Sequence, residues 1–159
     1  MRIIAGIWER EIGLERISMI KREKAFLDSN IIVYAYDLHE PKKNELARQI
    51  LKDGISDGNV VLSAQVLGEF FVVATKKIKE KMTAEQALDI IKTLDVINVV
   101  DIDYYLVISA INIQRKYKLS YWDSLILAAA ERAECDILLT EDLNNSQTYN
   151  GVAVRNPFL

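Results

Sequence analysis

The stretch Ala25-Phe26-Leu27-Asp28-Ser29-Asn30-Ile31-Ile32-Val33-Tyr34 restricts the fold more than any other part of this chain. Three apolar residues run directly into an acid, a hydroxyl and an amide, and a second apolar run follows at once. That order reads as a short buried strand that stops at Asp28 and turns straight into a helix. A carboxylate at the carboxyl end of a parallel strand points into the crevice where open α/β sheets bind ligands.

The rest of the chain repeats the alternation. A polar break over 37–41 precedes a helix from Lys42 to Leu51, with Pro41 in its first turn and Gly54 past its end. Asn59 to Leu62 reads as a second strand ending at Ser63, which can cap a helix running to about Lys79. Thr83-Ala84-Glu85-Gln86 is a capping box, opening a helix with Leu88, Ile91 and Leu94 on one side. Val96 to Val100 is a third strand. Asp103 caps an apolar helix through Tyr117, and Ser120 opens another to about Ala133. Ile137 to Thr140 is a fourth strand and Val152 to Val154 a fifth. Strands alternating with helices imply a parallel sheet covered on both faces.

With 159 residues, half of them hydrophobic, the chain is long enough for one domain with a real core. Residues 1–24 mix charge with scattered isoleucines and hold no comparable strand. Met19 stands as an alternative start, and an amphipathic helix carrying Ile12, Ile17 and Ile20 is the other reading. An accessory or spurious extension over 1–24 and one domain over 25–159 is the expected division.

Composition removes several classes of function. A net charge of −3 gives no global basic field toward nucleic acid or anionic membrane, so polyanion binding must use local patches. Cys135 is the only cysteine and His39 the only histidine, which excludes an internal disulfide, a cysteine-built zinc site and a multi-histidine metal site. Metal chemistry here belongs to carboxylate oxygens. The apolar run Ile3 to Trp8 is too short to span a membrane and is followed at once by Glu9, Arg10 and Glu11, unlike a secretory signal. A cytoplasmic location is the default expectation.

Four acids recur at strand ends and helix starts, and each has a plain structural explanation beside the chemical one. Asp28 is a good helix N-cap. Glu69 lies in Gln65-Val66-Leu67-Gly68-Glu69-Phe70-Phe71-Val72-Val73-Ala74, sharing a face with Val66 and Val73; it either pairs with Lys76 or Lys77 or sits desolvated and needs a cation. Asp123 completes a Ser-x-x-Asp capping pattern with Ser120, yet leads the face carrying Leu127 and Ala130. Asp142 follows the fourth strand, where turn formation is the ordinary role and Glu141 is a rival. All four map to one edge of one sheet. Like charges held there raise one another's pKa, and a hard divalent cation, Mg²⁺ or Mn²⁺, relieves the conflict. Phosphodiester hydrolysis is the chemistry such an ion serves. Lysines at the end of the Glu69 helix, Lys76 and Lys77 first, fit a polyanionic substrate, although cations at helix carboxyl ends are also ordinary dipole complements.

Taken together, Leu27-Asp28-Ser29-Asn30, Ser63 to Phe70 with Glu69, Tyr121-Trp122-Asp123-Ser124-Leu125-Ile126 and Leu138-Leu139-Thr140-Glu141-Asp142-Leu143 resemble the PIN-domain ribonucleases, in particular the toxins of VapBC toxin–antitoxin pairs. The resemblance covers roughly Ala25 to Leu159. It implies a three-layer α/β/α fold with a five-stranded parallel sheet of order 3-2-1-4-5. It also implies an acidic quartet of Asp28, Glu69, Asp123 and Asp142 holding Mg²⁺ or Mn²⁺, with Ser29, Asn30 and Thr140 in support. Cleavage of RNA, a small antitoxin partner and a homodimer are implied with it. A PIN-like module that binds RNA or protein without cutting is the alternative. An aspartyl-phosphate phosphatase is disfavoured because Asn30 stands where its second aspartate belongs, and a serine hydrolase lacks any G-x-S-x-G.

Overall fold

The computed structural model describes residues 23–159. Strand β1 (Ala25–Leu27) is buried along its whole length, as a strand covered on both faces must be. It pairs in parallel with β2 (Val60–Ser63) on one side and β4 (Ile137–Leu139) on the other. Beyond β2 lies β3 (Asn98–Val100), and beyond β4 lies β6 (Val152–Arg155), both parallel. The parallel strands run in the order β3-β2-β1-β4-β6, which keeps the expected 3-2-1-4-5 arrangement.

The sheet has six strands where five were expected. The addition is β5 (Thr148–Tyr149), antiparallel to β6 on the edge. Asn150 and Gly151 join the two with φ of 48° and 87°. An Asn-Gly pair with positive φ at both positions is the tight hairpin turn that matches strand twist, so Tyr149-Asn150-Gly151-Val152 was a legible hairpin signal.

Helices α1 (Ser29–Tyr36), α2 (Pro41–Asp57), α3 (Ala64–Lys76) and α4 (Ala84–Thr93) pack against one another, while α5 (Tyr104–Tyr117) packs on α6 (Tyr121–Arg132). With the sheet these make a three-layer α/β/α arrangement. Helix α2 runs through Gly54, which the sequence pattern places past its end, and stops at Gly58 in the left-handed conformation. Gly54 is there for packing: a Cβ on it would meet Val60 Cγ1 at 2.2 Å. Helix α3 ends at Lys76 rather than about Lys79, because the N–H groups of Lys77 and Ile78 both turn back to the Val73 carbonyl.

The capping box of Thr83 and Gln86 forms in both directions, at 3.1 and 2.9 Å. The inward face of α4 carries Ala87, Ile90 and Ile91, however, and Leu88 is exposed. Val96 ends a short 3₁₀ turn and lies outside β3, which begins at Asn98.

The expected extension over 1–24 lies almost wholly outside the described residues, but Glu23 and Lys24 join the domain. Arg155 forks onto the Glu23 carboxylate, the Lys24 N–H donates to Asp136 Oδ2 at 2.8 Å, and Lys24 Nζ donates to the Ala133 carbonyl. Among the described residues no helix is long and apolar enough to cross a membrane.

Candidate active site

The chain runs outward from β1 to β2 and β3, then returns to the other side of β1 to make β4. The carboxyl ends of β1 and β4 therefore flank the point where strand order reverses, the usual ligand position in an open α/β sheet. Asp28 follows β1 there and Thr140 follows β4. The Thr140 hydroxyl donates to Asp28 Oδ2 at 2.6 Å, and the Ser29 N–H donates to Asp28 Oδ1 at 2.6 Å.

Asp28 is 4% exposed. Burial pushes its carboxyl up to about 6, against the pull of the Thr140 and Ser29 hydrogen bonds, and the charges of Asp142 and Glu69 push further. The N-cap role is real, since Asp28 caps α1 through the Ser29 N–H. A cap alone needs neither this burial nor two neighbouring acids.

Asn30 ties the next acid in. Its Nδ2 donates to Asp142 Oδ2 at 3.1 Å and reaches Asp28 Oδ2 and Thr140 Oγ1 at 3.4 Å. The Asp142 N–H donates to Thr140 Oγ1 at 3.0 Å, so Thr140 holds the Asp28 carboxylate and the Asp142 backbone. Glu141, the rival for this place, is engaged elsewhere: it accepts from the Tyr34 hydroxyl at 2.6 Å and from Lys43 Nζ at 2.7 Å. Phe158 packs edge-on against Tyr34, 5.1 Å between ring centres, and backs that pair.

The ion pair with Lys76 or Lys77, the plain structural alternative for Glu69, does not form. Glu69 instead accepts from Gln65 Nε2 at 2.7 Å, and the same nitrogen reaches the Trp122 carbonyl at 3.2 Å. Gln65 is 7% exposed and thus links α3 to the first turn of α6. The sequence reading does not single it out, although its place four residues before Glu69 puts both on one helical face. Asp123 accepts from the Ser120 hydroxyl at 2.7 Å, while its own N–H donates back to Ser120 Oγ at 3.1 Å. Leu127 and Ala130 on its face are buried as expected.

The structure thus brings Asp28 and Asp142 together through Asn30 and Thr140, puts Glu69 within electrostatic range, and leaves Asp123 on its own helix cap. Among the described residues no three His, Cys, Asp or Glu side chains are grouped so as to hold a metal ion. The donor chemistry nonetheless suits a hard cation: every candidate ligand is an oxygen, and Asn30 Oδ1 is a buried acceptor with no partner among the described residues. Beside Asn30 and Asp142 opens a cleft of about 480 Å³, with Val33, Val73 and Ile78 among its lining and Lys77 and Lys79 on its wall. Lys76, paired with Lys77 in the sequence expectation, is not part of that lining.

A family model described as the PIN domain matches residues 25–150, and the chain belongs to that family. No curated protein matches it in sequence comparison. Among solved structures it is similar to a toxin–antitoxin complex from Klebsiella pneumoniae, with 22% identity, 84% of this chain and 97% of that one covered, and a TM-score of 0.57. It is also similar to VapBC2 from Rickettsia felis bound to a promoter DNA fragment, at 20% identity, 83% and 97% coverage and a TM-score of 0.61. A third is Mycobacterium tuberculosis VapC20, a sarcin-ricin loop cleaving toxin, at 16% identity, 74% and 91% coverage and a TM-score of 0.58. At these identities the shared property is the fold.

Proposed function

We propose that this chain is a divalent-metal-dependent endoribonuclease and the toxin of a VapBC-type pair, held in check by a small antitoxin and acting as a homodimer in the cytoplasm. Membership of the PIN family supports the nuclease reading, and the toxin–antitoxin complexes among its structural relatives support the partner. The observation that carries it is Asp28: a buried carboxylate, clamped by two donors at the sheet's ligand edge and crowded by two more negative charges.

Asp28, Glu69, Asp123 and Asp142 would hold Mg²⁺ or Mn²⁺, an ion that supplies Lewis acidity toward a phosphoryl oxygen and toward water. The chain's own contribution is orientation. Thr140 and Ser29 fix the Asp28 carboxylate, Asn30 keeps Asp142 facing it, and Lys77 on the cleft wall meets substrate phosphates. In-line attack by water then leaves a 5′-phosphate and a 3′-hydroxyl.

The test is Mn²⁺-dependent cleavage of single-stranded RNA by wild type and by Asp28→Asn. The variant is expected to fold and to lose roughly a hundredfold or more of the activity. Cleavage by wild type that survives excess chelator would falsify the reading. A non-catalytic RNA- or protein-binding module is the second reading, favoured by the lack of a three-acid group among the described residues. Such a module shows no thermal shift with Mn²⁺.

A further inference from the structure

Two consecutive residues after β4 dock on one side of α1. Asp142 accepts from Asn30 Nδ2 at 3.1 Å, and Glu141 accepts from the Tyr34 hydroxyl at 2.6 Å. Asn30 and Tyr34 stand four residues apart in α1, one turn apart on the same side. The loop that carries Asp142 is thus seated at two points on a single helix. The two seats are unequal. At the first, one neutral amide holds an exposed carboxylate that repels the charge of Asp28. At the second, Lys43 Nζ from α2 donates to Glu141 Oε2 at 2.7 Å and to the Tyr34 hydroxyl at 2.9 Å, closing a ring of three hydrogen bonds. Bonds with a charged partner at each end are the stronger kind. The Glu141 carboxylate keeps Lys43 charged, while burial and then Glu141 raise the Tyr34 hydroxyl, so the ring stays closed across neutral pH.

The carboxyl-terminal residues reach the same place. Phe158 packs edge-on against Tyr34, and the Lys43 ammonium lies 4.3 Å from the centre of the Tyr34 ring and 5.3 Å from that of Phe158. The Phe158 N–H donates to Asn156 Oδ1 at 2.9 Å, and the Asn156 N–H donates to Asn145 Oδ1 at 2.9 Å, three residues beyond Asp142. Before Asp142, the Thr140 N–H donates to the Arg155 carbonyl at 3.1 Å. Residues 155–158 therefore hold the loop on both sides of Asp142 and finish against the Tyr34 ring.

We propose that Tyr34, Lys43 and Phe158 are positioning residues for Asp142: they anchor Glu141, and through it the loop, so that Asp142 stays opposite Asp28 despite their mutual repulsion. What Asp142 does there rests on the nuclease reading; the clamp itself does not. Among the described residues no hydrogen bond joins any of the three to Asp142, so their effect passes through Glu141. Residues that stand behind a ligand set in this way typically change metal affinity or activity by 10–100-fold.

The experiment compares wild type, Phe158→Ala, Lys43→Met and Lys43→Arg, with Gly54→Ala as a variant strained at the other end of α2. In chelator, NMR follows hydrogen exchange of the Asp142 N–H, which is bonded to Thr140 Oγ1, and the side-chain amide of Asn30. Exchange is expected to rise roughly tenfold in Phe158→Ala and Lys43→Met. The Asn30 amide resonance should shift with it, while that of Gln65, which donates to Glu69, stays in place. Lys43→Arg keeps a cation with donors for both Glu141 and Tyr34 and should stay near wild type. Mn²⁺ affinity, read from the signal of the free ion in electron paramagnetic resonance, should fall roughly tenfold in the same two variants. Their hydrolysis of bis(p-nitrophenyl) phosphate should recover at saturating Mn²⁺. Unchanged exchange and Mn²⁺ affinity in the folded variants overturn the clamp, and so does an equal effect in Gly54→Ala. If Phe158→Ala fails to fold, Lys43→Met decides alone. Wild type that hydrolyses no phosphodiester with Mn²⁺ sinks the nuclease reading, and the exchange data then judge the clamp by themselves.

Discussion

Asp28 accepts hydrogen bonds from Thr140 and Ser29, yet its carboxyl is pushed up to about 6 from an ordinary value of 3.8, so desolvation and crowding outweigh the donors. A carboxyl whose folded pKa exceeds its unfolded one binds more protons when folded. Its contribution to stability is therefore present below about 3.8 and is lost as pH rises toward 6, a difference of about 3 kcal/mol at most. In chelator, Asp28→Asn should stabilise the protein by roughly 1–2 kcal/mol at pH 7.5, less than that limit because one hydrogen-bond acceptor becomes a donor. At pH 4 the gain should vanish. Urea unfolding of both proteins at the two pH values measures this, and equal stabilities at pH 7.5 contradict it. With Mn²⁺ present the order should reverse at pH 7.5, since only the aspartate supplies charge to the ion.

Elements follow local rules until a neighbouring element intervenes. Capping at Thr83, Asp103 and Ser120 is readable because the partner sits three residues away. Gly54 is not readable in that way: glycine usually marks a helix end, and only the approach of Val60 explains it inside α2. Alanine is the better helix former by about 1 kcal/mol. A separation of 2.2 Å from Val60 Cγ1 is far inside van der Waals range, so Gly54→Ala should destabilise by roughly 1–3 kcal/mol. Paired with Val60→Ala, which removes both γ carbons, much of that loss should return relative to Val60→Ala alone. Thermal unfolding of this double-mutant cycle decides it, and simple additivity counts against the packing explanation.

At the scale of the whole molecule, the family match over 25–150 and the core lie inside the described residues, but the fold draws on two residues before β1. Glu23 holds Arg155 at the end of β6, and Lys24 holds Asp136 just before β4 and Ala133 at the end of α6. A chain beginning at Glu23 is expected to match the full-length protein in Tm. One beginning at Ala25 should lose roughly 1–3 kcal/mol with the charged hydrogen bonds. A large loss on removing 1–22 would mean that this segment belongs to the domain.

Sequence alone determined the alternation of strands and helices, the central place of Ala25 to Leu27 and the four acids worth following, because these depend on residue type and short spacing. Only the tertiary structure decided which acid after β4 faces Asp28, since Glu141 is drawn to Tyr34 and Lys43 from other helices. The same holds for Gln65, whose two partners lie four and fifty-seven residues away. Periodicity reports which face of an element is apolar; it carries no information about which distant polar group arrives there to be satisfied.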